Sequence, residues 1–268
     1  MARARKALIL FFAYLILAAL FVGLSGDLGA RDWRTASREP AGLAPDPATT
    51  PEAVVQVYAA RTIGWRGYFS VHTWVAVKPA GAPRFMVYEV MGFRLRRGEG
   101  GSAVYARERA ADGYWYGARP QLLADVRGSG VDEIITRIEA AVADYPYADR
   151  YTAWPGPNSN TFVAHVLRAV PELKVDLPST AIGKDYVEPY FVAGTPAGAG
   201  GQFNVYGLAG VLAGIEEGVE FNLIGLTLGV NPKRLSLKLP LIGNVGPGGD
   251  AKARRIESAS SAPVRATN

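Results

Sequence analysis

Apolar and polar positions divide the chain into stretches of different period. Ala7 to Leu24 runs 18 residues without a charge and is rich in Leu, Ile, Phe and Ala, close to the about 20 apolar residues that a membrane-crossing helix needs. Arg31 to Pro51 has no apolar period and carries Pro40, Pro45, Pro47 and Pro51, the pattern of a tether. From Val54 the period becomes two. Val54-Val55-Gln56-Val57-Tyr58 is rich in β-formers. Tyr68 to Lys78 then alternates, with Val71, Thr73, Val75 and Val77 on one face and Ser70, His72, Trp74 and Ala76 on the other. A turn at 79–83 leads to a third strand over Phe85–Phe93, so an antiparallel meander is expected. Arg94 to Gly101 reads as a loop.

The period changes again at Val131. Ile134, Ile135, Ile138, Ala141 and Val142 make one apolar stripe, Glu133 and Arg137 sit four apart, and Pro146 follows, which predicts a helix over Val131–Asp144. A second helical stripe, Phe162, Val163, Val166, Leu167 and Val170, runs to about Ala169. Phe203 to Gly246 is apolar and glycine-rich with alternating segments, and two or three more strands are expected there. A membrane-inserted hairpin is the competing reading of this region, and Glu216, Glu217 and Glu220 count against it. These patterns divide the chain into a membrane anchor over 1–26, a tether over 27–53, an α+β globular domain over 54–246 and a disordered tail over 247–268. The domain is an antiparallel sheet packed against two or more helices.

Composition narrows the chemistry. Hydrophobic residues make up 49% of the 268 and charged ones 20%, enough for a packed core. There is no cysteine, which excludes disulfides, thiolate metal sites and cysteine nucleophiles. With two histidines, zinc would need mostly carboxylate ligands, so neither a metal nor an organic cofactor is implied. The net charge of +5 collects at the ends, in Arg3, Arg5, Lys6, Lys252, Arg254, Arg255 and Arg265. That suits membrane topology and a solvated tail, not nucleic acid. Arg3, Arg5 and Lys6 before the apolar run place the N-terminus in the cytoplasm and the domain on the periplasmic or external side of the inner (plasma) membrane. An uncleaved single-pass anchor at residues 7–24 is favoured over a signal peptide, whose apolar region is about 7–15 residues.

Candidate chemistry centres on Trp154–Phe162, Trp-Pro-Gly-Pro-Asn-Ser-Asn-Thr-Phe. A rigid turn feeds polar side chains into a helix N-terminus, whose free N–H groups and dipole stabilise an oxyanion or an ionised nucleophile. Ser159 is the candidate nucleophile, with Asn158 and Asn160 shaping the oxyanion turn. A serine needs a base. His165 is six residues on in the same helix and points away, which leaves His72. Glu89 would orient the imidazole, unless Tyr88 or a backbone carbonyl does. The structural account uses the same residues: Asn158 or Ser159 caps the helix and Asn160 ties down the turn, His72 is a hydrogen-bonded structural histidine and Glu89 faces solvent. On residue types this account stands ahead. The aromatic run Tyr114-Trp115-Tyr116 reads as core packing or as a pocket wall.

The segments Val55–Arg61, Val71-His72-Thr73-Trp74, Trp154–Phe162, Ala181–Tyr186 and Lys238-Leu239-Pro240 resemble a family of bacterial membrane-associated proteins known as a domain of unknown function, over roughly Val54 to Gly246. More distantly, the order of an early-strand histidine (His72) and a later Asn158-Ser159-Asn160 helix-opening turn resembles circularly permuted papain-like domains of the NlpC type. In those a cysteine stands where this chain has Ser159. That resemblance implies a permuted papain-like α+β fold. Two functions follow: an envelope amide or ester hydrolase or acyltransferase using Ser159 and His72, or a non-catalytic module holding an envelope peptide, glycan or lipid in the same groove.

Overall fold

The computed structural model describes residues 2–257 apart from 31, 98–100, 189–190 and 248–249. It is an α+β chain. A helix, α1 (Ala2–Leu24), precedes the sheets. Strands β1 (Val54–Arg61), β2 (Val71–Lys78), β3 (Met86–Val90) and β4 (Val104–Glu108) pair in succession as an antiparallel meander. A short helix, α2 (Gly92–Arg97), stands where the sequence reads as a loop. It follows β3 directly, and Gly92 lies against the Tyr151 ring so closely that a Cβ would come within 2.3 Å of it. β5 (Gln121–Arg127) joins the free side of β1. Helices α3 (Val131–Ala143) and α4 (Ser159–Ala169) follow and pack together against one face of this sheet.

The sequence predicts the second half less well. β6 (Val192–Gly194), β7 (Gly200–Val205), β8 (Ala209–Gly214), β9 (Gly218–Leu223), β10 (Leu226–Asn231), β11 (Ser236–Leu239) and β12 (Gly243–Val245) form a second, seven-stranded antiparallel sheet in chain order, in place of two or three strands. The six connections between successive strands each turn within a few residues, and glycines such as Gly218 (φ +77°) and Gly225 (φ +84°) take the left-handed conformation those turns need. Finally β13 (Ala253–Arg255) adds to the first sheet, parallel to β5. Part of the segment expected to be a disordered tail, residues 250–257, is therefore ordered, because Ala251, Ile256 and their neighbours bond the backbone of β5. Residues 258–268 lie outside the described residues.

Alternation along β2 decides what each face of the first sheet does. Val71, Val75 and Val77 join Val55, Val57, Ile134, Ile138, Phe162, Val166 and Leu167 in the core under α3 and α4. Trp74 and Ala76 face the other way, with Tyr58, Phe85, Val87 and Trp115. That second face is covered by the stretch read as a tether. Leu43 and Ala44 pack on it, their N–H groups bond the Asp112 carboxylate at 2.6 and 3.1 Å, and Gly117 and Tyr114 donate to the Ser37 and Glu39 carbonyls. Its prolines keep it extended while the sheet's own loops supply its hydrogen-bond partners.

In the second sheet the alternation is inverted. Gln202, Asn204, Glu220, Asn222, Thr227, Asn231 and Lys238 face inward and are buried, while Phe203, Val219, Phe221, Leu228, Val230 and Leu237 face outward and are exposed. The inward side chains meet the polar segment 176–186, where Lys238 bonds Asp176 and Glu220, and Lys184 bonds Glu220 and, at 3.2 Å, Asp185. Glu216 and Glu217 are buried on the same side, Glu217 accepting the Ala197 N–H at 2.8 Å. None of these three glutamates faces outward.

Candidate functional site

The Trp154–Phe162 turn is built as a helix cap. Both Trp154–Pro155 and Gly156–Pro157 are cis. Asn158 is the N-cap of α4: its Oδ1 accepts the N–H groups of Asn160 (2.9 Å) and Thr161 (3.3 Å), and the Thr161 hydroxyl accepts the Asn158 N–H at 3.1 Å. The remaining polar atoms tie the helix to its neighbours. Asn158 Nδ2 donates to the carbonyls of Ala153 and Ile182, Asn160 Nδ2 to those of Val71 and Ile182, and Thr161 to that of Gly183. Gly183 (φ +91°) must be glycine here, since a Cβ would lie 2.5 Å from Asn158 Nδ2. The N–H donors an oxyanion would use at Asn160 and Thr161 are held by the Asn158 side chain.

Of the five residues singled out from the sequence, the structure brings together two pairs but not the central one. His72 Nε2 lies 3.1 Å from Glu89 Oε2, both buried. Asn158 and Asn160 flank Ser159 at the helix start. Ser159 and His72, however, occupy opposite faces of the first sheet. Thr73, next to His72, is the residue that reaches α4, its hydroxyl bonding the Ser159 carbonyl (3.2 Å) and Asn160 Oδ1 (3.0 Å). His72 points the other way and stacks on Trp115, with ring centres 3.6 Å apart and planes at 5°. The Ser159–His72 pairing is thus not assembled, because neighbouring residues of a strand present their side chains to opposite faces. Tyr88 is not the imidazole's partner either; it faces the helices and bonds Glu139 at 3.0 Å. His165 bonds the Ala141 carbonyl of α3.

What surrounds His72 is a cationic, aromatic cavity. Two guanidiniums, Arg107 and Arg109, each stand 3.4 Å from the buried Glu89 carboxylate, and Arg109 also lies 5.3 Å over the Trp74 ring. Arg38, brought in by the covering segment, sits 4.7 Å over Tyr116. With Ala110, Tyr114 and Trp115 these arginines line an open cavity of about 160 Å³. The buried Nε atoms of Arg107 and Arg109 have no hydrogen-bond partner. Tyr116, at the rim, holds φ +48°, a conformation that costs a non-glycine residue free energy and marks constrained sites. Burial lowers the His72 pKa, the bond to Glu89 opposing it, so the imidazole is neutral near pH 7 and donates Nε2–H to the carboxylate. Burial pushes Glu89 up, but the His72 bond and the charges of Arg109 and Arg107 outweigh it and hold the carboxyl below its ordinary range.

The arginines were not singled out from the sequence. Their signal was the i, i+2 spacing of Arg107 and Arg109 at a strand end, which puts two cations on one face. A larger cavity, about 520 Å³, opens where Asp176, Arg234 and Asn244 meet Leu122 and Ala251, beside residues outside the description. Among the described residues no group of three or more His, Cys, Asp or Glu side chains could hold a metal ion.

A family model described as a protein of unknown function, DUF3750, matches residues 52–186, about half of the chain. The chain belongs to that family. The match ends at Tyr186, so the second sheet and Lys238-Leu239-Pro240 lie beyond it, and the resemblance read from the sequence to Gly246 is shortened accordingly. No curated protein and no solved structure matches the chain. Among the described residues one helix, Arg3–Leu24, is long and apolar enough to cross a membrane, as spans and signal sequences both are.

Proposed function

We propose that this is a membrane-anchored binding protein of the cell envelope whose cavity beside His72 receives an anionic ligand. One observation carries the reading: two partly exposed guanidiniums, Arg107 and Arg109, share the single buried carboxylate of Glu89, leave their Nε–H groups unpartnered and line a cavity walled by Trp115 and Tyr116. Two cations held on one carboxylate repel each other, and an incoming phosphate or carboxylate offsets that repulsion with charge-assisted, bidentate bonds. The Asp112 carboxylate, which accepts two backbone N–H groups, is a second negative group near Arg109, so with Glu89 two carboxylates face the three guanidiniums of Arg38, Arg107 and Arg109. Tyr114 and Tyr116 suit a ring or sugar carried next to the anion. The ligand is then an acidic envelope glycan, peptide or lipid held without cleavage.

The hydrolase or acyltransferase reading through Ser159 and His72, and the permuted papain-like fold with it, has the chain order of strand and helix in its favour and the two faces of the sheet against it. The orientation we adopt leaves Arg3, Arg5 and Lys6 in the cytoplasm and everything after Leu24 outside, so an alkaline phosphatase fusion after residue 257 is active in cells.

The cavity is tested on the full chain in detergent by following tryptophan fluorescence while adding pyrophosphate or citrate. A saturable change is expected, since Trp74 and Trp115 border Arg109 and His72, and it is lost in the Arg107→Gln, Arg109→Gln double variant. No saturation in the wild type, or an unchanged response in the double variant, overturns the reading. A fluorophosphonate adduct mapped to Ser159 would return the hydrolase reading to the front.

A further inference from the structure

We infer that the outward face of the second sheet rests on the lipid bilayer, beside the helix that anchors the chain. The face is unusual in composition. Along β7 to β11 the outward positions include Phe203, Val219, Phe221, Leu228, Val230 and Leu237, all at least 39% exposed. The charged residues of this region, Glu216, Glu217, Glu220, Lys233, Arg234 and Lys238, lie in turns or on the inward face. Seven strands of this length make a surface roughly 29 Å by 20 Å, at the top of the range of apolar patches that monomers leave in water.

Two further observations select lipid as the occupant. The first is continuity with α1. The Tyr14 hydroxyl, near the middle of that helix, donates to the Pro240 carbonyl at 2.7 Å, and Ala18 and Val22 of the same helix are buried. Tyr14 is ten residues before Leu24, about 15 Å along the axis, so if α1 spans, the Leu239–Ile242 turn dips about halfway into a hydrocarbon core of about 30 Å. The second is how that turn is built. Its sequence is Leu-Pro-Leu-Ile, and its three successive carbonyls are all satisfied: Pro240 by Tyr14, Leu241 and Ile242 by the Arg61 guanidinium at 2.7 and 2.9 Å. Irregular backbone facing water needs no such capping; at membrane depth it does. The sheet's edges, β6 and β12, still carry backbone groups that need water, so the sheet is tilted, its Leu239–Ile242 turn deep beside Tyr14 and the rest of its face along the acyl–headgroup boundary, and it does not cross. The inversion of the second sheet then has a physical cause. Its inner face meets a charged segment and its outer face meets lipid.

The inference rests on α1 being a membrane span, and the test separates the two. The chain has no cysteine, so single cysteines carry a bimane probe cleanly. Full-length Phe221→Cys, Leu228→Cys and Leu237→Cys are reconstituted into vesicles containing lipids spin-labelled on the acyl chain. Leu17→Cys on α1 and the exposed Glu133→Cys on α3 are the references. The sheet positions are expected to lose emission as Leu17→Cys does, while Glu133→Cys keeps it. If Leu17→Cys is quenched and the sheet positions behave like Glu133→Cys, the anchor stands and the docked sheet falls. Loss at neither site removes both. Disulfide-linked dimers of Phe221→Cys without lipid quenching would mean a second copy covers the face, which also overturns the inference.

Discussion

His72 and Ser159 sit on opposite faces of one sheet, and Thr73, a single residue from His72, is the one that touches Ser159. A step of one residue along a strand sends a side chain through the sheet. That step separates two sites with different work. On the helix side, Thr73, Asn158, Asn160 and Thr161 fasten α4 to β2 and to the 181–183 loop. On the other side, His72 and Glu89 lie behind a cationic cavity, holding Trp115 and the two arginines that line it.

The cap makes an ordering of stabilities. Asn158→Ala removes two accepted and two donated hydrogen bonds. It is expected to cost about 1–3 kcal/mol, the range for a lost cap and for stranded buried partners. Ser159→Ala leaves every one of those bonds in place and removes a single hydroxyl from a buried side chain, so it should cost less, under about 1 kcal/mol. Urea unfolding of the full chain in mild detergent measures both. Equal losses would show that the Ser159 hydroxyl has a structural partner.

Thr73 offers a rescue experiment. Thr73→Val keeps the shape but strands Asn160 Oδ1 and the Ser159 carbonyl, and a loss of about 1–3 kcal/mol is expected. Thr73→Ser retains the hydroxyl and should restore most of it. If serine is no better than valine, the methyl packing matters and the hydrogen bonds do not.

Acidification should weaken the fold through the pair behind the cavity. The folded-state pKa of His72 lies below the ordinary 6.5 and that of Glu89 below the ordinary 4.5. A depressed folded pKa means that the unfolded chain takes up the proton first, so stability is present above the ordinary value and falls as pH drops toward the folded one. His72 therefore acts below about pH 6.5 and Glu89 only below about 4.5. The urea midpoint should fall between pH 7.5 and 5.5 in the wild type and fall less in His72→Gln. Glu89→Gln should be destabilised near neutral pH by about 1–3 kcal/mol, because the buried carboxylate's bonds to His72 and to two partly exposed guanidiniums are weakened. A midpoint slope unchanged in His72→Gln would assign the acid sensitivity elsewhere.

The second sheet's inner face holds its charges in a closed set. Lys238, fully buried, bonds Asp176 and Glu220, whereas Lys233 is half exposed and bonds only Glu216. Burial raises the Asp176 carboxyl, with the Lys238 charge opposing it. Lys238→Met should cost about 3–5 kcal/mol by taking the lysine from buried Asp176 and leaving Glu220 with Lys184 alone. Lys233→Met should cost about 0–1 kcal/mol, as exposed pairs do. Comparable thermal unfolding of the two variants would contradict the inward placement of Lys238.

The sequence by itself determined what depends on neighbours within a few positions. The uncharged run to Leu24 gives α1, the two-residue period gives β2 with Thr73 and His72 on different faces, and the 3.6-residue stripes give α3 and α4. A cap at Asn158 or Ser159 was also legible, since small polar residues before an apolar stripe are a local pattern, and the structure gives the role to Asn158. What only the tertiary structure decided is which side of each pattern is covered. Period two shows that Phe221 and Glu220 face opposite ways but not which of them is inside. The charged segment 176–186 settles that by packing on Glu220 and Lys238. In the same way Arg38, Arg107, Arg109 and Glu89 become one cavity only when the 37–46 segment is laid over β3 and β4. Charge and period are written along the chain, while contact between distant segments is set by how the elements close on one another.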